Sequence, residues 1–196
     1  MGPTDRERWN TRWAAEAEVG APSPFLLSLE PLLPRAGRAL DLAGGAGRNA
    51  LWLAARGLEV TLADVSGVAL SRAGAEARAR RLPLALAEVD LLAAPPPPGP
   101  WDLLVCTYFL HRPLFPLLRG LLSPGGLLAF AHATRQNLER HPRPGPAHLL
   151  DDGELAALAP GLGLEILSLT EGWSEAGRHE ARLLARRALP PGGPGR

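Results

Sequence analysis

The chain has 196 residues, of which 46% are hydrophobic, and its formal net charge is +1. This length and apolar content suit a single domain with a substantial core and exclude two domains of ordinary size. The near-neutral charge without a basic run argues against a nucleic-acid-binding surface, the single cysteine, Cys106, excludes an intramolecular disulfide, and no apolar stretch is long enough to span a membrane.

The beginning of the chain is charged rather than typical of a signal peptide, so we expect a cytoplasmic protein. The T-D-R-E run at residues 4–7 has the form of a capping box, which predicts a helix that runs toward Val19. Trp9 and Trp13 share one face of that helix, and they either dock it on the domain or cover a binding site. A proline-rich break follows, and residues 25–33 predict a second short helix.

A strand, a tight loop and the beginning of a helix are predicted within residues 39–54. The strand contains Asp41, and the small residues A-G-G-A-G at positions 43–47 follow it. Glycine allows positive φ angles and lets a ligand approach the backbone closely. The free N–H groups and the dipole at the N-terminus of the helix favour an anionic or carboxylate-bearing ligand. We therefore predict that residues 43–47, here called the glycine loop, form a cradle for a ligand.

Two kinds of nucleotide ligand fit a loop of this form. Gly45, Gly47 and Ala50 satisfy the G-x-G-x-x-G/A fingerprint of dinucleotide-binding proteins. Asp41 argues for a different ligand, because a carboxylate within the strand would approach a cationic group through the loop. S-adenosylmethionine carries an ammonium and a sulfonium, whereas a dinucleotide has neither of these two groups.

Residues 58–63 predict a second strand, which ends at Asp64. A carboxylate at this distance from a glycine loop can accept hydrogen bonds from the 2′- and 3′-hydroxyls of a ribose together. Alternatively, Asp64 only opens the loop before the next helix, for which Ser66 is the predicted N-cap. Asp64 thus supports an adenosine-containing ligand without deciding which one.

A third strand is predicted at residues 84–89, and a fourth begins at Trp101 after a proline-rich surface connection. Cys106 in the fourth strand is best explained as a small buried residue, since nothing near it marks an activated thiolate. His111 is either a general base or, as we favour, a structural residue that caps a helix predicted at residues 113–122. An S-P-G-G turn then leads into a fifth, apolar strand.

The segment after the fifth strand is rich in arginine, histidine and proline, and residues 133–150 are predicted to form an irregular insert. Long irregular segments of compact α/β domains tend to be functional, so we expect this insert to contact a substrate. Neither H-x-x-x-H nor paired-carboxylate spacing is present, and we expect no metal site. The remaining predicted elements are a helix capped by Asp151, strands at residues 164–170 and 180–187, and a disordered tail at residues 189–196.

These motifs occur together in the order found in one family. The stretch D-L-A-G-G-A-G-R-N from Asp41 resembles motif I of the class I S-adenosylmethionine-dependent methyltransferases, D/E-x-G-x-G-x-G, with Ala43 in place of the first glycine. Asp64, Asp90, a W-D-L-L-V strand and a P-G-G turn follow in the family's order. The D-L-A-G-G-A-G-R-N run is similar in particular to tellurite-resistance and related small-molecule methyltransferases. The resemblance covers residues 9–187.

The resemblance implies roles for individual residues. Asp90 would accept a hydrogen bond from the adenine amino group, and Leu91 would pack on the adenine ring. The end of the fourth strand would face the transferred methyl group, and residues 1–34 would form a helical lid. The residues expected to bind the cofactor are Asp41, Ala43, Gly44, Gly45, Gly47, Asn49, Asp64, Val65, Asp90, Leu91, Cys106 and Thr107. The residues expected to bind the substrate are Tyr108, His111 and His132.

We therefore expect one domain, residues 1–188, with a doubly wound, Rossmann-like α/β fold: a seven-stranded sheet with an antiparallel last strand and helices on both faces. The expected reaction is methyl transfer from S-adenosylmethionine to a small-molecule acceptor by in-line displacement, which leaves S-adenosylhomocysteine as the product. We name no catalytic residue, because the sulfonium is already an activated leaving group.

Two other functions stay open at this point. A small NAD(P)-binding oxidoreductase is supported by the glycine loop and Asp64 but weakened by Asp41 and Asp90. A non-catalytic protein that binds S-adenosylmethionine is the other alternative. The expected partner is a small-molecule acceptor, with no nucleic acid or membrane, and the expected oligomeric state is a monomer or homodimer.

Overall fold

Seven strands form one sheet in the computed structural model, which describes residues 4–16 and 18–190. The strands are β1 (Arg38–Leu42), β2 (Glu59–Asp64), β3 (Leu84–Glu88), β4 (Trp101–Thr107), β5 (Leu122–Ala133), β6 (Glu165–Trp173) and β7 (His179–Arg186). Their order across the sheet is β3-β2-β1-β4-β5-β7-β6. The first five strands pair in parallel, whereas β7 is antiparallel to both β5 and β6. The predicted seven-stranded sheet with an antiparallel last strand is confirmed.

Helices cover both faces of this sheet. They are α1 (Asp5–Ala15), α2 (Pro24–Ser28), α3 (Arg48–Ala55), α4 (Gly67–Arg80), α5 (Phe115–Leu121) and α6 (Glu154–Leu158). On one face, Leu26, Leu53 and Leu70 of α2, α3 and α4 pack in a core with β1 and β2. On the other face, Phe115 of α5 and Leu155 of α6 pack in a second core with β4, β5 and β7. The sheet is therefore enclosed between two hydrophobic layers, as expected for a doubly wound fold.

The central strands are buried on both sides, and this explains their nearly continuous apolar sequences. Of the seven residues of β4, W-D-L-L-V-C-T, all but Asp102 are buried. Apolar runs of this kind are typical of parallel strands that have helices on both faces. The edge strands β3 and β6 are instead mostly exposed.

Helix α1 begins as predicted but ends early. Thr4 and Glu7 form the predicted capping box, in which each side chain accepts a hydrogen bond from the backbone N–H of the other. The helix stops at Ala15, because the backbone of Glu16 is extended, and it does not continue toward Val19.

The helix predicted at residues 113–122 is divided. A 3-10 turn, Arg112–Leu114, precedes α5, because Pro113 and Pro116 each lack an N–H donor and prevent one continuous helix. His111 stands at the cap position of the turn, but its side chain makes no capping hydrogen bond. The predicted capping role of His111 is therefore wrong.

The predicted cap of α6 is also wrong. The N-cap residue is Gly153, which has a φ of 75°, and not Asp151. The backbone N–H of Asp151 instead donates to Oε2 of Glu154 at 2.7 Å. The glutamate in the first turn thus binds the backbone that precedes the helix, and the Asp151 side chain does not cap the helix.

The insert at residues 133–150 is more ordered than predicted. It contains two 3-10 turns, Arg135–Glu139 and Pro146–His148. Asn137 is buried, and its Oδ1 accepts a hydrogen bond from the backbone N–H of His179 at 3.2 Å. The insert is therefore packed against the start of β7.

Within the described residues, no helix has the length and apolar character needed to cross a membrane. Most of the tail predicted at residues 189–196 lies outside the described residues, which end at Pro190. Leu189 is exposed and lies outside the helices and strands.

Candidate functional site

The carboxyl ends of β1, β2 and β4 meet at the middle of the sheet. The strands β2 and β3 lie on one side of β1, and β4 lies on its other side. The order of the strands across the sheet therefore reverses its direction at β1. Open α/β sheets bind their ligands in the crevice that forms at such a point. The glycine loop after β1 and the segments after β2 and β4 line this crevice.

The glycine loop adopts a conformation that needs small residues. Ala43, Gly45 and Gly47 have φ angles of 51°, 59° and 82°. Ala43, which replaces the first glycine of motif I, tolerates its methyl group in a left-handed conformation that costs an alanine about 1–2 kcal/mol. A Cβ on Gly44 would lie 2.5 Å from Oδ2 of Asp41, so the loop rests directly on the Asp41 carboxylate.

Asp41 lies beneath the glycine loop rather than at its surface. It is 0% exposed, and its Oδ2 accepts a hydrogen bond from the backbone N–H of Ala50 at 3.1 Å. This bond joins β1 to the first turn of α3. Its Oδ1 is buried and has no hydrogen-bond partner among the described residues. Burial raises the pKa of Asp41 to about 7, while the hydrogen bond from Ala50 opposes the rise.

Asp64 connects the end of β2 to the glycine loop. Its Oδ2 accepts a hydrogen bond from the N–H of Gly45, and its Oδ1 accepts one from the N–H of Ser66, both at 2.8 Å. Burial raises the pKa of Asp64, and these backbone hydrogen bonds oppose that rise. Each carboxylate oxygen has a second lone pair. Asp64 therefore organises the loop and keeps the capacity to accept further hydrogen bonds.

Helix α1 lies across this loop. An ideal Cβ on Gly45 would stand 2.3 Å from Cζ2 of Trp13, so the indole ring is in direct contact with the loop. Oδ1 of Asn10 accepts a hydrogen bond from the hydroxyl of Ser66 at 2.7 Å, and Arg6 forms an ion pair with Glu88 at the end of β3. Helix α1 therefore docks on the domain through Trp13 and lies over the glycine loop, whereas Trp9 is exposed, and a cover over a binding site stays a prediction.

Asn49 and Thr107 are joined to each other beneath the crevice. Nδ2 of Asn49 donates to the Thr107 hydroxyl at 3.0 Å, and Oδ1 of Asn49 accepts from the N–H of Ser23 at 2.9 Å. Asn49 is buried, and both functional groups of its side chain are occupied. It therefore acts here as a link between α3, β4 and the entry to α2.

The other predicted cofactor residues lie at different depths. Asp90 is half-buried, and its Oδ1 accepts a hydrogen bond from the N–H of Leu92 at 3.0 Å. Val65 is half-buried next to Asp64, whereas Leu91 and Cys106 are buried in the core with α5. Burial raises the pKa of the Cys106 thiol, which supports its interpretation as a small structural residue.

The three predicted substrate residues have separate partners. The hydroxyl of Tyr108 donates to Oε1 of Glu180 at 2.6 Å. His132 is buried, its Nε2 is hydrogen-bonded to the carbonyl of His148 at 2.8 Å, and burial lowers its pKa. His111 borders a small apolar cavity that Cys106 also lines. Glu180 was missed by sequence reasoning, because only the pairing of β7 with β5 brings it to the end of β4.

Charged side chains do not gather into a metal site in the part of the chain that the structure describes. No group of three or more histidine, cysteine, aspartate or glutamate side chains there could hold a metal ion. The site is instead built from backbone N–H groups, isolated carboxylates and guanidinium groups.

Residues 39–126, from β1 to the turn inside β5, match the family model described as a methyltransferase domain. This stretch of the chain is similar to methyltransferase domains. The glycine loop, Asp64 and Asp90 all lie within the matched residues. No curated protein matches the sequence of this chain.

Solved structures resemble this chain over most of its length. One, from work on the conversion of a disulfide bond into a thioacetal group during echinomycin biosynthesis, is 23% identical, with a TM-score of 0.72 over 95% of this chain and 94% of the other. TehB from Haemophilus influenzae is 21% identical, with a TM-score of 0.68 over 93% of this chain and 66% of TehB. The [4+2]-cyclase SpnF is 19% identical, with a TM-score of 0.69 over 85% and 80%. At these identities the likeness establishes the fold, and a cyclase among these structures illustrates that the fold alone does not determine the reaction.

Proposed function

We propose that this enzyme transfers a methyl group from S-adenosylmethionine to a small-molecule acceptor, in a crevice formed by the glycine loop and the carboxyl ends of β2, β3 and β4. The observation that carries the proposal is the hydrogen bond from the N–H of Gly45 to Asp64, which unites the two motifs expected to hold the cofactor. The small residues of the loop leave room for close approach to its backbone.

The residues present fit this cofactor. The second lone pairs of the Asp64 oxygens are available to the ribose hydroxyls, and the half-buried Asp90 suits the adenine amino group. Val65 and Leu91 supply apolar surface for the adenine ring. The unpartnered Oδ1 of Asp41 supports a role in attracting the ammonium group from below the loop. The remaining proposed contacts of the cofactor are Ala43, Gly44, Gly47, Asn49, Cys106 and Thr107.

When it is bound, the cofactor supplies a methyl group on a sulfonium, which is an activated leaving group. Held by Asp41, Asp64 and Asp90, it would supply that methyl group to the acceptor's lone pair, and the sulfur would leave with the electron pair of the broken carbon–sulfur bond. The residues of the chain then need to orient the two reactants and exclude water, and we assign no residue as a nucleophile or obligatory base.

Helix α1 supports a small acceptor and a lid function for residues 1–34. With Trp13 over the glycine loop and Asn10 bonded to Ser66, the mouth of the crevice is covered by protein. A covered mouth limits access to molecules smaller than a folded macromolecule. We propose that α1 moves aside to admit the cofactor and returns over it. Tyr108, His111 and His132 are the proposed substrate contacts, with the insert at residues 133–150 beside them. We also expect the enzyme to be cytoplasmic and either monomeric or a homodimer.

Calorimetric titration tests the cofactor assignment. The chain should bind S-adenosylmethionine and S-adenosylhomocysteine and should not bind NADH. Asp64→Ala should abolish binding, whereas Glu59→Ala, at the exposed opposite end of the same strand, should leave it unchanged. Binding of NADH alone would overturn the proposal and make the glycine loop a dinucleotide site.

A further inference from the structure

A tyrosine and a buried carboxylate meet where β4 ends and β7 begins. Tyr108 has a φ of 60°, which is unusual for a bulky residue. Its hydroxyl donates to Oε1 of Glu180 at 2.6 Å, and Glu180 is only 3% exposed. Burial and the hydrogen bond to Glu180 raise the pKa of Tyr108 to about 12, so its ring is neutral at physiological pH. The bond to Glu180 holds that ring in a fixed position.

Two guanidinium groups converge on this ring from different elements. The Cζ of Arg48, the first residue of α3, lies 5.4 Å from the ring centroid, and the Cζ of Arg178, just before β7, lies 5.2 Å from it. Neither arginine has a carboxylate within salt-bridge distance among residues 4–16 and 18–190, where eight other arginines do. Two guanidinium groups without a salt bridge of their own therefore lie near one aromatic ring, and the Glu180 carboxylate is bonded to the hydroxyl of that ring.

This cluster adjoins the proposed cofactor site. Arg48 directly follows Gly47, the last residue of the glycine loop, and Tyr108 directly follows Thr107, which is hydrogen-bonded to Asn49 of α3. A ligand at the Tyr108 ring would therefore lie next to the loop and at the end of β4. Guanidinium groups present planar pairs of donors that suit carboxylates, and a charge-assisted bond is stronger than a neutral one.

We propose that the methyl acceptor is a small organic anion, whose carboxylate binds between Arg48 and Arg178 at the ring of Tyr108. The proposal rests on the methyltransferase function proposed above and names the substrate class for that site. The entering carboxylate offsets the positive charge of the two guanidinium groups. The nucleophilic atom of the acceptor then points toward the glycine loop, because Arg48 is anchored at its end.

The test compares acceptors that carry a carboxylate with their uncharged methyl esters. Thioglycolate and its methyl ester form one pair, and salicylate and its methyl ester form the other. Formation of S-adenosylhomocysteine and of the methylated product is measured for the wild type, Arg48→Gln, Arg178→Gln and, as a matched control, Arg78→Gln. Arg78 is an exposed arginine on α4, away from the ring. The dissociation constant of S-adenosylhomocysteine is measured for every variant first.

The charged member of at least one pair should have a kcat/KM at least about tenfold above that of its ester, as expected for one charge-assisted hydrogen bond. Arg178→Gln should remove this preference without changing affinity for S-adenosylhomocysteine, and Arg78→Gln should retain it. Equal rates for acid and ester, or a preference retained in both Arg48→Gln and Arg178→Gln, would overturn the proposal. Weaker S-adenosylhomocysteine binding in Arg48→Gln with unchanged acceptor preference would assign Arg48 to the cofactor and also count against it.

A second measurement covers the case in which none of these acceptors is methylated. Thioglycolate and salicylate are titrated into the enzyme loaded with S-adenosylhomocysteine, and binding that Arg178→Gln weakens supports the anion site. No binding of either anion to the loaded enzyme refutes the substrate class but leaves the cofactor assignment intact. Failure to bind S-adenosylhomocysteine at all would instead refute the function proposed above.

Discussion

The indole ring of Trp13 occupies the space that a side chain on Gly45 would need, because an ideal Cβ at position 45 would lie 2.3 Å from Cζ2 of the ring. The φ of Gly45 is also positive, at 59°. Position 45 thus requires glycine for two separate reasons, a local one in the backbone and a distant one in the first helix. Helix α1 and the glycine loop are therefore closely packed against each other at these two residues.

Gly45→Ala should therefore destabilise the protein and loosen α1. The positive φ costs an alanine about 1–2 kcal/mol, and the overlap with the indole adds to this. In a Trp13→Ala background only the backbone cost should remain, so the substitution should lower the melting temperature less. Trypsin cleavage at the exposed Arg12 should be faster in Gly45→Ala than in the wild type. Gly145→Ala is the control, since Gly145 has a φ of −66° and open space around it. Equal losses with and without Trp13 would contradict the steric explanation.

Asp64→Asn should weaken the glycine loop even though it preserves the shape of the side chain. The carboxylate accepts from the N–H groups of Gly45 and Ser66, and an amide has only one accepting oxygen. One buried N–H is then left unpaired, which costs about 1–3 kcal/mol. Urea denaturation should show this loss, and Glu59→Gln on the same strand should show none. An Asp64→Asn variant as stable as the wild type would mean that the two hydrogen bonds contribute little.

Asp41→Asn should change how stability depends on pH. Burial raises the pKa of Asp41 from 3.8 to about 7, so its ionisation destabilises the folded state. The wild type should lose stability relative to the variant as pH rises from 4 to 7, by on the order of 4 kcal/mol in the limit. The amide oxygen can still accept from Ala50, and the amide nitrogen replaces the unpartnered Oδ1. Urea denaturation at pH 4 and pH 8 measures the difference, and parallel behaviour of the two proteins would refute the assignment.

Asn49 and Thr107 should be energetically coupled. Their side chains share a hydrogen bond of 3.0 Å in a buried position. A double-mutant cycle with Asn49→Ala and Thr107→Val should give a coupling free energy of about 0.5–3 kcal/mol. The hydrogen bond from the N–H of Ser23 to Asn49 is lost whenever Asn49 is replaced, with or without the change at Thr107, so its contribution cancels in the cycle. Strict additivity of the two substitutions would show that the hydrogen bond makes no net contribution.

Local features of the fold could be predicted from the sequence with good success. The capping box at Thr4, the Ser66 cap of α4 and the glycine loop after β1 all have short-range causes, and the structure has each of them. The seven-stranded sheet with an antiparallel last strand followed from the resemblance to a family. The caps assigned to His111 and Asp151 were wrong, because a neighbouring proline or glutamate decided the local geometry.

The candidate site was less accessible to prediction, because its contacts join distant parts of the chain. Tyr108 and Glu180 are 72 residues apart, and no local pattern marks Glu180. Sequence spacing placed Asp41 near the ligand, but it could not reveal that its carboxylate is buried below the loop and holds α3. The convergence of Arg48 and Arg178 depends in the same way on the register between β5 and β7.

Helix α1 has no buried residue, although it covers the crevice. Its attachment includes the Trp13 contact, a few polar bonds and one ion pair at the surface, Arg6–Glu88. Such an element can detach at a small fraction of the free energy needed to unfold the sheet. If α1 serves as the proposed lid, entry to the crevice is governed by a local equilibrium that the two hydrophobic cores do not influence. Evolution can therefore tune how fast ligands enter and leave by altering surface residues of one helix, with the stability of the enzyme held constant.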